Sequence, residues 1–519
     1  MEKTLWILII FLAIGLTKTA NILILLPLPL YSHTNTFLPI FKELATRGHN
    51  ITMVSPYPQK QILPNWTDIT IDISIFKIFM DETIKEFMSH NVYLFYFAFW
   101  RFCSNVMELA YQDKNLQKLI HSEELSYDLL ILEPFFAQES LIAFGHKMNV
   151  PVIALHPISL SPWPAHLSGN EFSLSLSPNY RTGYTSRMTL TQRLDNTFIN
   201  LIEFFTAYFL YLPQQEKLME DYMVYPGYKN RPPILDMLKN VSLTLIDYHH
   251  SVGYVNPLQP NTIPVGGLSL KHADQLPKDL KDIIEESNSA VIYLSFGSHV
   301  SGGDVSAKIL KALLEAFEKL DQRVLMKWEN VNIANKPKNV EIRKWFPQPS
   351  VLAHPNVHLF ISHGGLHGIT EASFYGVPIL GIPFFSDQEY NLRFVEQLGT
   401  GLTLLQKDVS KDSLLNAIHE LLNNSSYRET ALKRSQIVND RPHSALESAV
   451  YWVEYVLRHE GARHLRPARL DLSIHQLLLF DIMLLFSFTV VIITLIIVVC
   501  IKCSFLLLTK MKNRSKKNM

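Results

Sequence analysis

The stretch VHLFISHGGLHGITEASFYGVPILGIPFFSDQ, residues 357–388, decides the fold. Residues 357–361 read as a short apolar β-strand, and Ser362, His363, Gly364 and Gly365 as the turn after it. A helix follows, with Glu371 one to two turns in. Glycines let the backbone approach a ligand, and free N–H groups at a helix start favour a diphosphate. His363 is placed to donate to a phosphate oxygen, and Glu371 to accept from ribose hydroxyls, as acidic side chains do in nucleotide folds. Taken alone, His-Gly-Gly reads equally well as a helix cap. His363 and His367 stand four apart, as zinc ligands on a helix would. Gly364 occupies the place of a zincin's glutamate and no third ligand is apparent, so no metal is expected.

The same alternation runs outward in both directions. Strands are expected at 22–26, 50–54, 129–132 and 152–155, with helices at 37–46 and 139–147. After a Pro- and Asn-rich connection at 256–264, strands at 290–296, 323–328, 357–361, 379–382 and 401–404 alternate with helices, one of them at 307–320. Strands separated by helices build parallel, doubly wound sheets, and ligands bind beyond their carboxyl ends. The expected fold is therefore α/β, with two Rossmann-like domains, 21–255 and 265–443, facing a cleft. Segments 91–102 and 198–212 are rich in Phe and Tyr; helical core is the first expectation, a greasy acceptor pocket or membrane-facing surface the second.

Residues 360–391, FISHGGLHGITEASFYGVPILGIPFFSDQEYN, resemble the signature of the UDP-glycosyltransferase family, the glucuronosyltransferase-like enzymes. The resemblance extends to Arg47-Gly48-His49, Val265-Gly266-Gly267-Leu268, Phe296-Gly297-Ser298, Trp345-Phe-Pro-Gln348 and Trp452-Val-Glu-Tyr. The last blocks look most like the insect branch. The resemblance implies a GT-B type fold that moves a hexose from a UDP-sugar, a co-substrate rather than a resident cofactor, to a small lipophilic acceptor. It implies that Trp345 stacks on uracil and Gln348 bonds the nucleoside. Ser298, His363, Gly364 and Gly365 would hold the diphosphate, Glu371 the ribose, and Asp387 and Gln388 the sugar hydroxyls. His367 stands where the glucuronosyltransferases usually have Asn, and would substitute as a donor near the phosphates.

Inverting transfer needs a base for the acceptor hydroxyl, and a histidine titrating near ~6.5 suits that task. His33 follows the first strand in PLPLYSH, at the place of the family's catalytic histidine. A carboxylate usually orients such a base. The family most often has Asp after the 129–132 strand; here it is Glu133. The vertebrate glucuronosyltransferases carry an Arg before Val-Gly-Gly-Leu, where this chain has Asn256, which points to glucose over glucuronate. The competing reading is a catalytically idle binder of hydrophobic small molecules; a transferase acting on glycoproteins or lipids is a third.

The 519 residues carry 47 basic and 47 acidic side chains, so no general attraction to nucleic acid is expected. Residues 1–20, with Lys3 before an apolar run, have the layout of a secretory signal peptide. Crossing helices and a membrane approach are expected at 444–476, and a bilayer span at 477–501. The basic residues of 502–519 put that tail in the cytosol by the positive-inside rule. The end Lys516-Lys517-Asn518-Met519 resembles a dilysine retrieval signal, giving a single-pass type I protein of the endoplasmic reticulum, with the domains lumenal and membrane lipid as a partner. Cys103 is the lone lumenal cysteine on this reading, so no disulfide forms within the lumenal chain. A homo-oligomer stays open.

Overall fold

A computed structural model describes residues 19–76, 91–268, 270, 273–287, 289–297 and 305–517. The expected signal peptide (save residues 19 and 20) and Ser298 lie outside them. The described chain divides into two compact units, residues 1–466 and 467–519.

The first unit holds two all-parallel sheets. The first sheet contains β1 (Asn21–Leu25), β2 (Asn50–Ser55), β3 (Trp66–Thr70), β4 (Leu129–Leu132), β5 (Val152–His156), β6 (Leu243–Ile246) and β7 (Thr262–Pro264). Its order is β3-β2-β1-β4-β5-β6-β7. The second contains β8 (Val291–Ser295), β9 (Arg323–Lys327), β10 (Val340–Arg343), β11 (Val357–Ser362), β12 (Ile379–Gly381) and β13 (Gly401–Thr403), in the order β10-β9-β8-β11-β12-β13. In both, the order reverses beside the first strand, between β1 and β4 and between β8 and β11. Those are the switch points where such sheets open a crevice. The central strands are near-continuous apolar runs (NILIL, LLIL, VIYLS), broken only by Asn21 at one end and Ser295 at another, because helices cover both faces.

The helices that position the site or lie at the apolar surfaces are α1 (Tyr31–Thr46), α2 (Val92–Tyr111), α3 (Leu190–Thr206), α4 (Leu366–Tyr375), α5 (Gln388–Gln397), α6 (Ala445–Arg458) and α7 (Phe480–Lys517). Helix α6 lays Ala449, Val450 and Val453 into the same core layer as Ile22, Ile24 and Phe41. Two motifs far apart in sequence meet there: Glu454 lies 3.4 Å from Arg47 Nη1 and 3.7 Å from His49 Nε2.

Several expectations are corrected. The helix expected at 37–46 starts at Tyr31, so His33 sits in its first turn. The last three residues of the expected 256–264 connection are strand β7, paired with β6. The 198–212 segment is helical and only partly core: Ile199, Tyr211 and Leu212 are buried, but Phe198, Phe205 and Phe209 are exposed while the polar Asn200 and Glu203 are buried. By contrast, α2 does bury Tyr96, Phe99 and Trp100. In the second unit, α7 begins at Phe480 and runs beyond the expected end at residue 501; its segment Phe480–Met511 is long and apolar enough to cross a membrane.

Candidate active site

Residues from the two switch points form the site. Beyond β1, His33 rides on the first turn of α1; beyond β4, Glu133 is buried. The carboxylate receives His33 Nδ1–H, with Oε1 at 2.9 Å and Oε2 at 3.1 Å. That bond fixes the tautomer and leaves Nε2 as the basic nitrogen. Gln138 lies 3.5 Å from Oε2 and adds a donor to the same carboxylate. The extra methylene of Glu133 relative to aspartate is thus accommodated without losing the pair. Against His33 stands Phe136, ring centroids 5.4 Å apart, and Phe99 of α2 is 5.4 Å further on. The aromatic helix therefore reaches the base. His156, at the end of β5, is buried beside Phe135, and that burial drives its pKa down to about 3, so the ring stays neutral.

The second switch point is the turn after β11. Gly364 has φ +92, a conformation suited to glycine, and a Cβ there would meet Leu392 at 2.6 Å. Its neighbours clamp the histidine ring: a Cβ at Gly297, after β8, would lie 2.8 Å from His363 Cε1, and one at Gly365 2.5 Å from Nε2. Gly365 is the N-cap of α4, whose first N–H groups lack partners within the helix. Asn391 of α5 donates to Gly364 O at 3.1 Å and to Asp387 Oδ2 at 2.7 Å, tying the turn to the next loop.

The remaining expected residues fall into two groups. Tyr293 donates to Gln348 Oε1 at 3.2 Å, and Gln348 Nε2 donates to Glu371 Oε2 at 2.6 Å, so two groups assigned to one nucleoside are adjacent. Burial raises the pKa of Glu371, against the opposing bond from Gln348. Trp345 is 67% exposed, an open indole face with Lys327 Nζ 5.0 Å from its ring. Lys327 also donates to Gly297 O at 2.5 Å. Asp387 stands at the N-cap position of α5, its carboxylate taken by Asn391 instead of the helix N–H groups, and burial raises its pKa. Gln388 is buried, and its Oε1 accepts from Phe384 N at 2.7 Å and Phe385 N at 3.0 Å, so it shapes the loop before α5.

His367 departs from expectation. Its Nε2 lies 2.6 Å from Thr36 Oγ1 and 3.4 Å from Asp247 Oδ2, both in the first sheet's half. Because Thr36 Oγ1 donates to Ser32 O at 2.7 Å, His367 Nε2–H is the donor to Thr36. Burial opposes its protonation, but Asp247, then Glu371 and Asp387, raise its pKa on balance. The buried Asp247 carboxylate, one residue past β6, draws the ring across the cleft. Thr36 is one turn beyond His33, and His367 one turn beyond His363, so this contact sets the two switch points opposite each other. Asn256 bonds Ser177 and Tyr254 O instead of approaching the donor side. Arg181 does reach the loop before α5, with Nη1 3.5 Å from Ser386 O and its guanidinium 4.0 Å from the Phe95 ring centroid.

Lys327, Asn391, Asp247, Thr36 and Arg181 were not legible as site residues. Only Asn391 carried a signal, as the last residue of the signature stretch.

Two Rossmann-type sheets with facing switch points make up the fold type called GT-B. Solved structures share the fold: the calicheamicin glycosyltransferase CalG4 superposes with a TM-score of 0.57 at 18% identity, over 85% of this chain and 99% of that one. A UDP-glucose: anthocyanidin 3-O-glucosyltransferase in complex with UDP gives 0.53 at 16% identity, over 85% and 100%. The chain belongs to the family described as UDP-glucoronosyl and UDP-glucosyl transferase, whose model matches residues 22–518. It is similar to UDP-glycosyltransferase UGT5 of Dactylopius coccus, 36% identical over 95% of this chain and 93% of the relative. UDP-glucosyltransferase 2 of the same insect is 34% identical over 93% of each. UDP-glucuronosyltransferase 2C1 of Oryctolagus cuniculus is 29% identical over 87% of this chain and 92% of the relative. The protein is a UDP-dependent hexosyltransferase that takes a UDP-sugar donor and an acceptor.

Proposed function

We propose that the chain transfers glucose from UDP-glucose, with inversion, to a hydroxyl of a small lipophilic acceptor. The single observation that carries this is the His33–Glu133 pair lying across the cleft from the His363 turn. His33 Nε2 takes the acceptor's O–H proton as that oxygen bonds the anomeric carbon. The bond from that carbon to the diphosphate oxygen breaks, and UDP leaves with the electron pair. Glu133 holds the imidazolium that forms. N–H groups at the start of α4, His363 and the expected Ser298 meet the charge growing on the leaving diphosphate. Trp345 takes the uracil on its exposed face, Glu371 and Gln348 the ribose and base, and Asp387 with Gln388 the hexose. The UDP-sugar serves as co-substrate, with no resident cofactor.

The acceptor meets the Phe99–Phe136 surface beside His33, which suits an aromatic or polycyclic alcohol. Detoxifying conjugation of such molecules fits that surface. Glucuronate is the second reading, favoured by Arg181, because a guanidinium near the 386–388 loop matches a carboxylate on the sugar. With Phe480–Met511 as the span and the basic tail cytosolic, the chain is a single-pass type I protein of the endoplasmic reticulum membrane whose catalytic half is lumenal. Membranes containing the protein should be given UDP-glucose or UDP-glucuronate with a panel of phenols and steroids, and UDP release measured. Release with UDP-glucose alone supports the proposal, release with UDP-glucuronate alone supports the second reading, and none with either supports an idle binder.

A further inference from the structure

Helix α3 is inverted relative to a water-facing helix. Of its five buried residues, Asn196, Asn200, Glu203 and Thr206 are polar and only Ile199 is apolar. These polar groups are satisfied internally: Asn196 donates to Ser177 O, Asn179 donates to Asn200 and Glu203, and Trp100 donates to Thr206. Outside, nine residues between 190 and 210 are exposed, and seven of them are Leu or Phe. Leu190, Leu194, Phe198, Leu201, Phe205 and Phe209 recur every three or four residues, on one face that continues through the π-helical segment Ala207–Tyr211. Leu94 and Phe97 of α2, 56% and 50% exposed, extend that surface beside it. Scattered apolar residues on a surface need no explanation, but a periodic stripe of this length does.

Three observations point to lipid as the occupant. The only charged residue among those nine is Arg193, a cation suited to anionic headgroups. Asp195, on the same helix, is engaged by Tyr93 and Tyr184. The chain also carries Phe480–Met511, a helix long and apolar enough to anchor it in a bilayer. We infer that the exposed face of α3, with the adjoining face of α2, rests in the apolar boundary of a lipid bilayer. This rests on Phe480–Met511 being a bilayer span. The inner face of α2 carries Phe99, which leads through Phe136 to His33, so an acceptor dissolved in lipid has one helix between it and the base.

The test uses the full chain in liposomes of phosphatidylcholine with phosphatidylserine, doped with a lipid bearing a diazirine in its acyl chain. After irradiation, adducts are mapped by mass spectrometry. Adducts are expected in 190–210 and in 480–511, each about tenfold above the exposed helix Lys278–Glu285. Phe205→Glu should reduce the 190–210 adducts several-fold and leave those in 480–511 unchanged. Adducts in 480–511 alone in the wild-type chain overturn the inference. That holds whether the stripe faces water or a second copy covers it, the latter read as dimers in nanodiscs by mass photometry. Absence of adducts from both segments overturns the span reading and the inference with it.

Discussion

Substituting Gly365→Ala tests the donor turn by geometry alone. Gly365 sits at φ −65 and ψ 139, which alanine adopts without strain, so the backbone has no reason to move. The added methyl, however, would lie 2.5 Å from His363 Nε2, nearly ~1 Å inside ordinary contact. Gly297 also crowds this ring, since a Cβ there would lie 2.8 Å from His363 Cε1. The ring must swing sideways by about 1 Å, and a misplacement of that size costs ~10²-fold in rate, or about 2.7 kcal/mol of transition-state stabilisation. The assay is the initial rate of UDP release at varied UDP-sugar, with UDP affinity by calorimetry and thermal melting in parallel. Gly227→Ala is the control: at φ +87 with no atom near its Cβ, it costs about 1 kcal/mol of stability and should leave the rate unchanged. If Gly365→Ala keeps kcat/KM within twofold and binds UDP normally, His363 does not hold the diphosphate.

Glu133→Gln preserves the shape of the pair but no longer stabilises an imidazolium, and should lower kcat by roughly 10²–10⁴-fold with KM nearly unchanged, read by single-turnover kinetics. Trp345→Ala removes an exposed stacking face and should weaken UDP binding by ~1–3 kcal/mol in calorimetry, sparing the fold. His367→Asn probes the cross-cleft contact. A histidine whose folded pKa is raised contributes stability that is full below its ordinary pKa and lost as pH rises through the folded value. The melting difference between wild type and variant should therefore be larger at low pH than at high pH, and modest, because the ring is 44% exposed. Glu454→Ala leaves buried His49 and Arg47 without their shared carboxylate and should cost about 1–3 kcal/mol in denaturant unfolding, with kcat unaltered for the folded fraction.

The strand-turn-helix at 357–375 was legible because β11 is an apolar run ended by a His-Gly-Gly turn, and β4 because all four of its residues are apolar and Glu133-Pro134 ends the run. Strands β3 and β10 escaped notice because edge strands such as WTDIT and VEIR alternate with polar residues. The start of α1 was hidden by Pro27 and Pro29 and by a first turn, Tyr31-Ser32-His33, without apolar periodicity. The aromatic content of α3 was visible, but not which side it faces, because burying Asn196, Asn200 and Glu203 depends on partners brought by other segments. The same limit hid the contacts across the cleft. Thr36 and His367 are 331 residues apart, and no local pattern joins them.

The most direct measurement is UDP release from UDP-glucose, with a phenol acceptor, by the wild-type chain and by His33→Ala. Turnover by the wild type and its loss by at least ~10²-fold in the variant, with UDP still bound at wild-type affinity, is the expected result. Full activity in His33→Ala would contradict the assignment of the base.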